Sequence, residues 1–437
     1  MFSEILDSLK TFLPILSSVW QILKNWWWLP LPFILWWPLS FLWLWWRRDI
    51  FLKKTKFILL EIRIPKEVLK PIRAMETVID GLWQILYDPP YFWEKWIEGK
   101  KILSYSFEIV SIGGKPHFFV RIPESGRDSI EAAIYSQYPE AEISIADDYT
   151  KHIPQDIPSK DWDLWGADYR LLKANPYPIK TYPKFETEHE LLEEKRIDPL
   201  ASLLEAMAKI KPGEQLWIQI ITGPVTDKEI PWVTEGEKIR DELAKRTISK
   251  ERKPMIMEAA DILITGEAPG APKEKKEIFP PEMKLTPGER EIIIGVEQKM
   301  AKRGFRTNIR FIYLGKQDVF FKPKLRLALA FFSAFFTQNL NALVPWGQPL
   351  ITKIHKNLFL PWNLFYNRRL YLRKRAIFRK YKLRVNPYFP RKKGTFILNT
   401  EELASIFHFP GRRVAPAPFV ERIEAKKGEA PPGLPSE

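Results

Sequence analysis

Twenty-one consecutive residues, Trp26 to Trp46 (WWWLPLPFILWWPLSFLWLWW), carry no charge, and this run constrains the fold before anything else does. A helix of that length rises about 31 Å, close to the roughly 30 Å of a bilayer's hydrocarbon core. Trp26, Trp27 and Trp28 crowd one end, Trp36 and Trp37 lie in the middle, and Trp43, Trp45 and Trp46 crowd the other. Tryptophans so placed match an aromatic belt at each headgroup layer. Arg47, Arg48, Lys53, Lys54 and Lys56 follow directly, whereas only Lys10 and Lys24 precede the run. That bias places the residues after 46 in the cytoplasm. The expectation is a single-pass helix at 26–46 in the inner (cytoplasmic) membrane, with membrane lipid as partner, an interfacial or packed helix at 1–25, and the bulk of the chain cytoplasmic. Pro30, Pro32 and Pro38 support a rival geometry, a re-entrant hairpin whose first arm is Thr11 to Leu23. A cleaved signal peptide fits poorly: the start is not basic, and no small-residue cleavage site follows the apolar run.

Behind this run the pattern is α+β. Ile58, Leu60, Ile62 and Ile64 alternate along a strand that Pro65 ends. Val68, Ile72, Met75, Ile79, Leu82 and Leu86 recur at helical spacing. Ser104–Ser111 and His117–Ile122 read as strands joined at Gly113-Gly114, whose freedom to take positive φ suits a tight hairpin. Asp128 or Ser129 is placed to cap a helix with Ile130, Ala133, Ile134 and Tyr138 inward, and Ile143 and Ile145 mark a last strand. The order β-α-β-β-α-β predicts a ferredoxin-like unit at 56–150. A second such unit is predicted at 163–345. Its strands are Tyr169–Ala174, Gln215–Ile221 and a run from Phe305 to Tyr313; its helices carry Leu200 to Met207 and Ile292 to Met300, the latter stopped by Gly304. A Pro-, Gly- and Lys/Glu-rich insertion interrupts it at about 266–289. Leu325 to Val344 is interrupted by Arg326, Gln338, Asn339 and Asn341, and is read as a packed core or membrane-surface helix.

Several chemistries are excluded or unsupported. The chain has no cysteine, which removes disulfides, thiolate nucleophiles and cysteine-ligated zinc. The pairs Gly99-Lys100, Gly114-Lys115 and Gly315-Lys316 are not followed by Ser or Thr, so no phosphate-binding P-loop is present. His117, His152, His189, His355 and His408 are scattered without metal-ligand spacing. No catalytic, metal or cofactor residue is predicted, and the expectation is a chain that is not an enzyme.

The remaining signal is charge. The net charge of +15 is concentrated between Asp318 and Glu401, where 17 Lys and Arg occur and no acid. Within the basic aromatic segment 346–394, Arg368, Arg369, Arg373, Lys374, Arg375, Arg379, Lys380, Lys382 and Arg384 are candidate contacts to phosphate, in nucleic acid or in lipid headgroups. Tyr371, Phe378 and Tyr381 are interleaved as candidate stacking faces for bases. Leu370, Leu372, Ile377 and Leu383 show that part of this tract also packs.

Four strings bring a family into view: FEIVSIGGKPHFFVRIP (Phe107–Pro123), IEAAIYSQYPEAEI (Ile130–Ile143), WNLFYNRRLYLRKR (Trp362–Arg375) and FILNTEELASIFHFPG (Phe396–Gly411). They resemble the N-terminal, non-ATPase region of membrane-anchored conjugation ATPases of the type IV secretion coupling kind. In that family a P-loop motor follows the HFP motif, here His408 to Pro410, whereas this chain continues into a C-terminal docking segment and Pro-rich tail at 395–437. The resemblance implies a separate P-loop ATPase as partner, DNA as a further candidate partner, and a homo-oligomer. The expected function is a membrane-anchored, non-catalytic scaffold of a DNA or protein export system. The competing expectations are a membrane-surface enzyme acting on lipid or cell-wall precursors and a purely structural membrane scaffold.

Overall fold

The computed structural model describes residue 24 and residues 31–64, 70–185, 198–244, 285–346, 352, 365–384 and 394–410. Trp26, Trp27 and Trp28, nearly all of the predicted helix at 1–25, the 266–284 part of the predicted insertion and the tail after 410 lie outside the described residues.

The single-pass reading is overturned. Among the described residues no helix is long and apolar enough to cross a membrane. Helix α1, Leu31–Lys54, is long, but its uncharged part runs only from Leu31 to Trp46, sixteen residues. That part rises about 24 Å, short of the roughly 30 Å required. Arg47, Arg48, Asp49, Lys53 and Lys54 fill the rest. Trp36, Trp37, Trp43, Trp45 and Trp46, taken from sequence as anchor residues, therefore belong to a helix whose apolar part is too short to span, and the inner-membrane, single-pass localisation falls with it.

The chain forms two compact units. The first joins α1 to residues 88–102. The Trp43 indole N–H donates to the Trp96 carbonyl at 2.8 Å. Gly99, at φ +74°, lies so close to the backbone of Arg47 and Arg48 that a Cβ there would stand 2.3 Å from Arg47. Only glycine fits both the left-handed turn and the contact.

The second unit is built on one antiparallel sheet. Its strands are β1 (Phe57–Arg63), β2 (Tyr105–Ile112), β3 (Lys115–Pro123), β4 (Glu142–Ile145), β5 (Trp162–Leu171), β6 (Glu214–Val225), β7 (Gly304–Lys316), β8 (Leu343–Pro345) and β9 (Phe396–Asn399). The order is β4-β1-β3-β2-β6-β7-β5-β8, with β9 on the free half of β7. The first four strands thus run fourth-first-third-second, and the next four mirror them as second-third-first-fourth. The halves meet where β2 pairs with β6 from Tyr105–Thr222 to Ile112–Gln215. What reads in sequence as two units is one continuous sheet.

Strand alternation divides the core in two. On one face Leu60, Ile62, Phe107, Ile109, Val120, Ile218, Ile309 and Phe311 pack under α2 (Ile72–Leu86), α3 (Arg127–Gln137), α4 (Pro199–Ala208), α7 (Leu325–Ser333) and α9 (Thr400–Ile406). On the other, Leu59, Val110, Phe119, Leu164, Trp217, Ile312 and Leu314 pack under α8 (Tyr366–Leu383). Two further helices, α5 (Trp232–Leu243) and α6 (Pro287–Met300), lie between β6 and β7 in sequence.

Local chemistry accounts for the boundaries. Gly113 and Gly114 take φ of +57° and +93° and close the β2–β3 hairpin. The end of the predicted insertion is helical instead. Thr286 and Glu289 form a reciprocal capping box, and Pro287 occupies the first turn of α6, where its missing N–H costs nothing. Gly304 does not stop that helix but opens β7, where the Trp232 ring would stand 2.9 Å from a Cβ. Gly126, rather than Asp128 or Ser129, precedes α3. The apolar run from Leu325 yields a helix of only nine residues, with Ala328, Phe331 and Phe332 buried.

Candidate nucleic-acid interface

The basic tract forms α8, 18 residues with eight Lys or Arg and no acid. A free helix of that composition repels itself. Its position on the sheet comes from one inward face. Ile377, Phe378 and Tyr381 are buried and, with Arg384 one turn on, share a side of the helix. The rings of Phe378 and Tyr381 lie 6.5 and 5.1 Å from the indole of Trp217 on β6. Phe378 is 2% exposed and Tyr381 0%. These two predicted stacking residues are core and face no base. Tyr371 is on the outside, and its hydroxyl accepts from Arg375 at 3.3 Å.

Beneath the helix a row of polar residues crosses the sheet in register. Glu61 on β1 and Glu108 on β2 both flank Phe119 on β3; Gln219 on β6 is opposite Glu108, Arg310 on β7 opposite Gln219, and Asp168 on β5 opposite Arg310. Arg384 closes α8 over this row. Its Nε donates to Glu108 at 2.7 Å and its Nη2 to the other Glu108 oxygen at 3.0 Å. Nη1 and Nη2 reach Asp148 at 2.7 and 3.1 Å. Arg384 itself stands in the left-handed region, at φ +49°, and its N–H donates back to Tyr381. Two bidentate carboxylate contacts offset the cost of that conformation for a residue with a Cβ.

Glu108 is fully buried and also accepts from Ser106 (2.8 Å), Gln219 (2.9 Å) and the Tyr149 hydroxyl (2.7 Å). Burial pushes its carboxyl upward, but the Arg384 charge and these hydrogen bonds outweigh burial and hold it below the ordinary carboxylate range. Tyr149 and Tyr381 share a 2.8 Å hydrogen bond, so helix, loop and sheet join in one network. Further along, Arg310 donates to Asp168 at 3.1 Å and to Asn308 at 2.6 Å.

The nine predicted phosphate contacts thus separate. Arg384 is occupied inside the protein. Lys374 is paired with Asp163 at 2.5 Å, and Lys382 donates to Gln155. Lys380 is partly buried, and burial holds its ammonium below the usual lysine range against the pull of Asp168. Arg368, Arg375 and Arg379 are exposed on the outward face, beside Leu372 and Leu383. Arg369 and Arg373 stand one turn apart at its margin. Burial and then the Arg369 charge lower the Arg373 guanidinium below its usual range.

Sequence reading missed Glu108, Asp148, Gln219 and Arg310. The one available signal was the spacing of Ile377, Phe378, Tyr381 and Arg384, which marks an inward stripe ending in a charge. Elsewhere, a cavity of about 450 Å³ lies between α6 and residues 178–184. Two ion pairs involve its wall, Lys184 with Glu291 and Glu401 with Lys302. Lys299, also on the wall, is fully buried against Glu402. Among the described residues no group of three or more His, Asp or Glu side chains is placed to hold a metal ion.

A family model described as a domain of unknown function (DUF8128) matches residues 60–418, and the chain belongs to that family. No curated protein matches it.

Proposed function

We propose that this DUF8128 chain is a non-catalytic, nucleic-acid-binding scaffold that works beside a separate P-loop ATPase in an export system of the conjugation or type IV secretion kind. One observation carries the reading: α8 is locked to the sheet by Arg384, Lys374 and its apolar stripe, while Arg368, Arg375 and Arg379 remain outside. The inward charges fix the helix, so the outward ones reach a polyanion without first ordering a flexible segment. Because Phe378 and Tyr381 are core, phosphate contact rather than base stacking supplies the affinity, and binding has little sequence preference. The export system and its motor come from the resemblance of the four sequence strings alone.

Titration of the full chain with labelled duplex DNA, followed by fluorescence anisotropy, tests the reading. The variant Arg368→Gln/Arg375→Gln/Arg379→Gln is expected to bind at least tenfold more weakly at low salt. Equal affinity of the variant and the unaltered chain, or no binding by either, removes nucleic acid as the partner. Co-purification with a P-loop ATPase from the source cells tests the motor separately.

A further inference from the structure

In the first unit two segments distant in sequence are fastened together and expose aromatic side chains. Along α1, Ile34, Trp36, Trp37 and Leu39 are 58–77% exposed. In the 88–102 segment, Tyr91, Phe92 and Trp93 are 66–80% exposed. The fastening is specific: the Trp43 hydrogen bond to Trp96 and the Gly99 turn against Arg47 and Arg48. The Lys100 ammonium also bridges Asp88 and Glu94, each at 3.0 Å, which holds the 88–102 segment in shape.

Several features identify what covers such a surface. The exposed side chains of α1 are apolar on every side through Trp46, so a protein groove, which takes one stripe of a helix, leaves much of them in water. The aromatic residues are mostly tryptophan, whose ring and N–H suit the boundary between acyl chains and headgroups. Five basic residues and one acid follow from Arg47 to Lys56. The Arg47 guanidinium lies 5.7 Å from the Trp46 ring and 5.9 Å from that of Trp43, so charge and aromatic side chain meet at one level.

We infer that α1 and the Tyr91–Trp93 segment together form a seat for the interfacial layer of an anionic lipid bilayer, entered from one side and not crossed. The apolar part of α1 is too short to cross, and its basic end pairs with lipid phosphates. This contact is independent of the α8 face and of the nucleic-acid reading.

The full chain has no cysteine, so a single introduced cysteine carries a nitroxide at a known place. The measurement is flotation with phosphatidylcholine vesicles and with phosphatidylcholine/phosphatidylglycerol vesicles. It is followed by nitroxide depth readings on Trp37→Cys and on Trp93→Cys. The chain is expected to float with the anionic vesicles and at least tenfold less with the neutral ones. Both labels should report a shallow position in one leaflet. Arg47→Gln/Arg48→Gln should weaken anionic binding, roughly fivefold for each charge. Failure to float with anionic vesicles overturns the inference, as does equal flotation with both kinds. Labels that stay in water, or self-association without vesicles, give the surface to a second copy of the chain. An unchanged urea midpoint by circular dichroism shows that each variant is folded.

Discussion

Replacing Arg384 by Met isolates the contact that holds α8 to the sheet. The substitution removes two hydrogen bonds to Glu108 and two to Asp148. Asp148 is partly exposed and recovers hydration, but Glu108 has no exposed surface. A buried carboxylate stripped of its cation costs about 3–5 kcal/mol. Ser106, Gln219 and Tyr149 still donate to Glu108, which places the expected loss near the lower end. Urea denaturation followed by tryptophan fluorescence gives the difference, since Trp217 sits under Tyr381. Glu108→Met in the same background removes the stranded charge, so the double variant should recover about 1–3 kcal/mol relative to the sum of the single losses. The pH dependence has a definite sign. In the unaltered chain the Glu108 carboxyl is depressed, so its contribution is present above the ordinary carboxylate value near 4.5 and is lost as pH falls through the depressed one. In Arg384→Met, burial is opposed only by the hydrogen bonds from Tyr149, Ser106 and Gln219 and raises that carboxyl, so acid favours the folded variant. The stability gap must therefore narrow as pH falls, first above about pH 4.5 as the variant's raised carboxyl takes up its proton and then below it as the unaltered chain loses its contribution. A loss under about 1 kcal/mol at pH 7, or a gap that widens in acid, refutes the reasoning.

Adjacent residues on α8 should behave oppositely. Phe378→Ala is expected to cost about 3–5 kcal/mol of stability by calorimetry or denaturation, whereas Arg379→Ala should stay within about 0.5 kcal/mol and weaken DNA binding instead. Gly166→Ala places a Cβ 2.6 Å from the Phe311 carbonyl and 3.2 Å from Ile377; a lowered melting temperature and weaker DNA binding should appear together. Gly114→Val meets the Ile210 carbonyl at 2.7 Å at a φ of +93°, and should destabilise the chain by about 2–4 kcal/mol in denaturant titration. His117 hydrogen-bonds Glu61 and, against burial, holds its carboxyl down, so this pair's contribution, like that of Glu108, should be lost as pH falls below the ordinary carboxylate range. Glu61→Gln should remove that part of the acid sensitivity in a pH series of unfolding curves.

The parts of the fold that were legible in sequence are those set by short-range chemistry. Ile58, Leu60 and Ile62 alternate because one face of β1 is covered by helices, and Gly113-Gly114 marks its hairpin because few other residues take two successive positive φ values. The Thr286–Glu289 box could have been read as a helix start, but the Pro- and Gly-rich composition around it pointed to a loop. Counting residues without charge made Trp26–Trp46 look long enough to span. The described helix begins at Leu31, and tryptophan gives much less transfer energy than leucine for its size. The site was less legible because its partners come from afar. Glu108 alternates with Phe107 and Ile109 as a solvent-facing residue would, and only a helix some 270 residues later in the chain, ending in Arg384, covers it. The β2–β6 junction leaves no local trace either: two buried strands look the same whether they end separate sheets or join one.

The division of α8 into an inner anchor and an outer phosphate-binding face is tested most directly by the salt dependence of DNA affinity. Each phosphate neutralised adds about −0.9 to the slope of log K against log salt. Removing Arg368, Arg375 and Arg379 together should flatten that slope by roughly 2.7 while leaving the urea midpoint unchanged. An unchanged slope, or a flattening that appears only because the midpoint has collapsed, contradicts it.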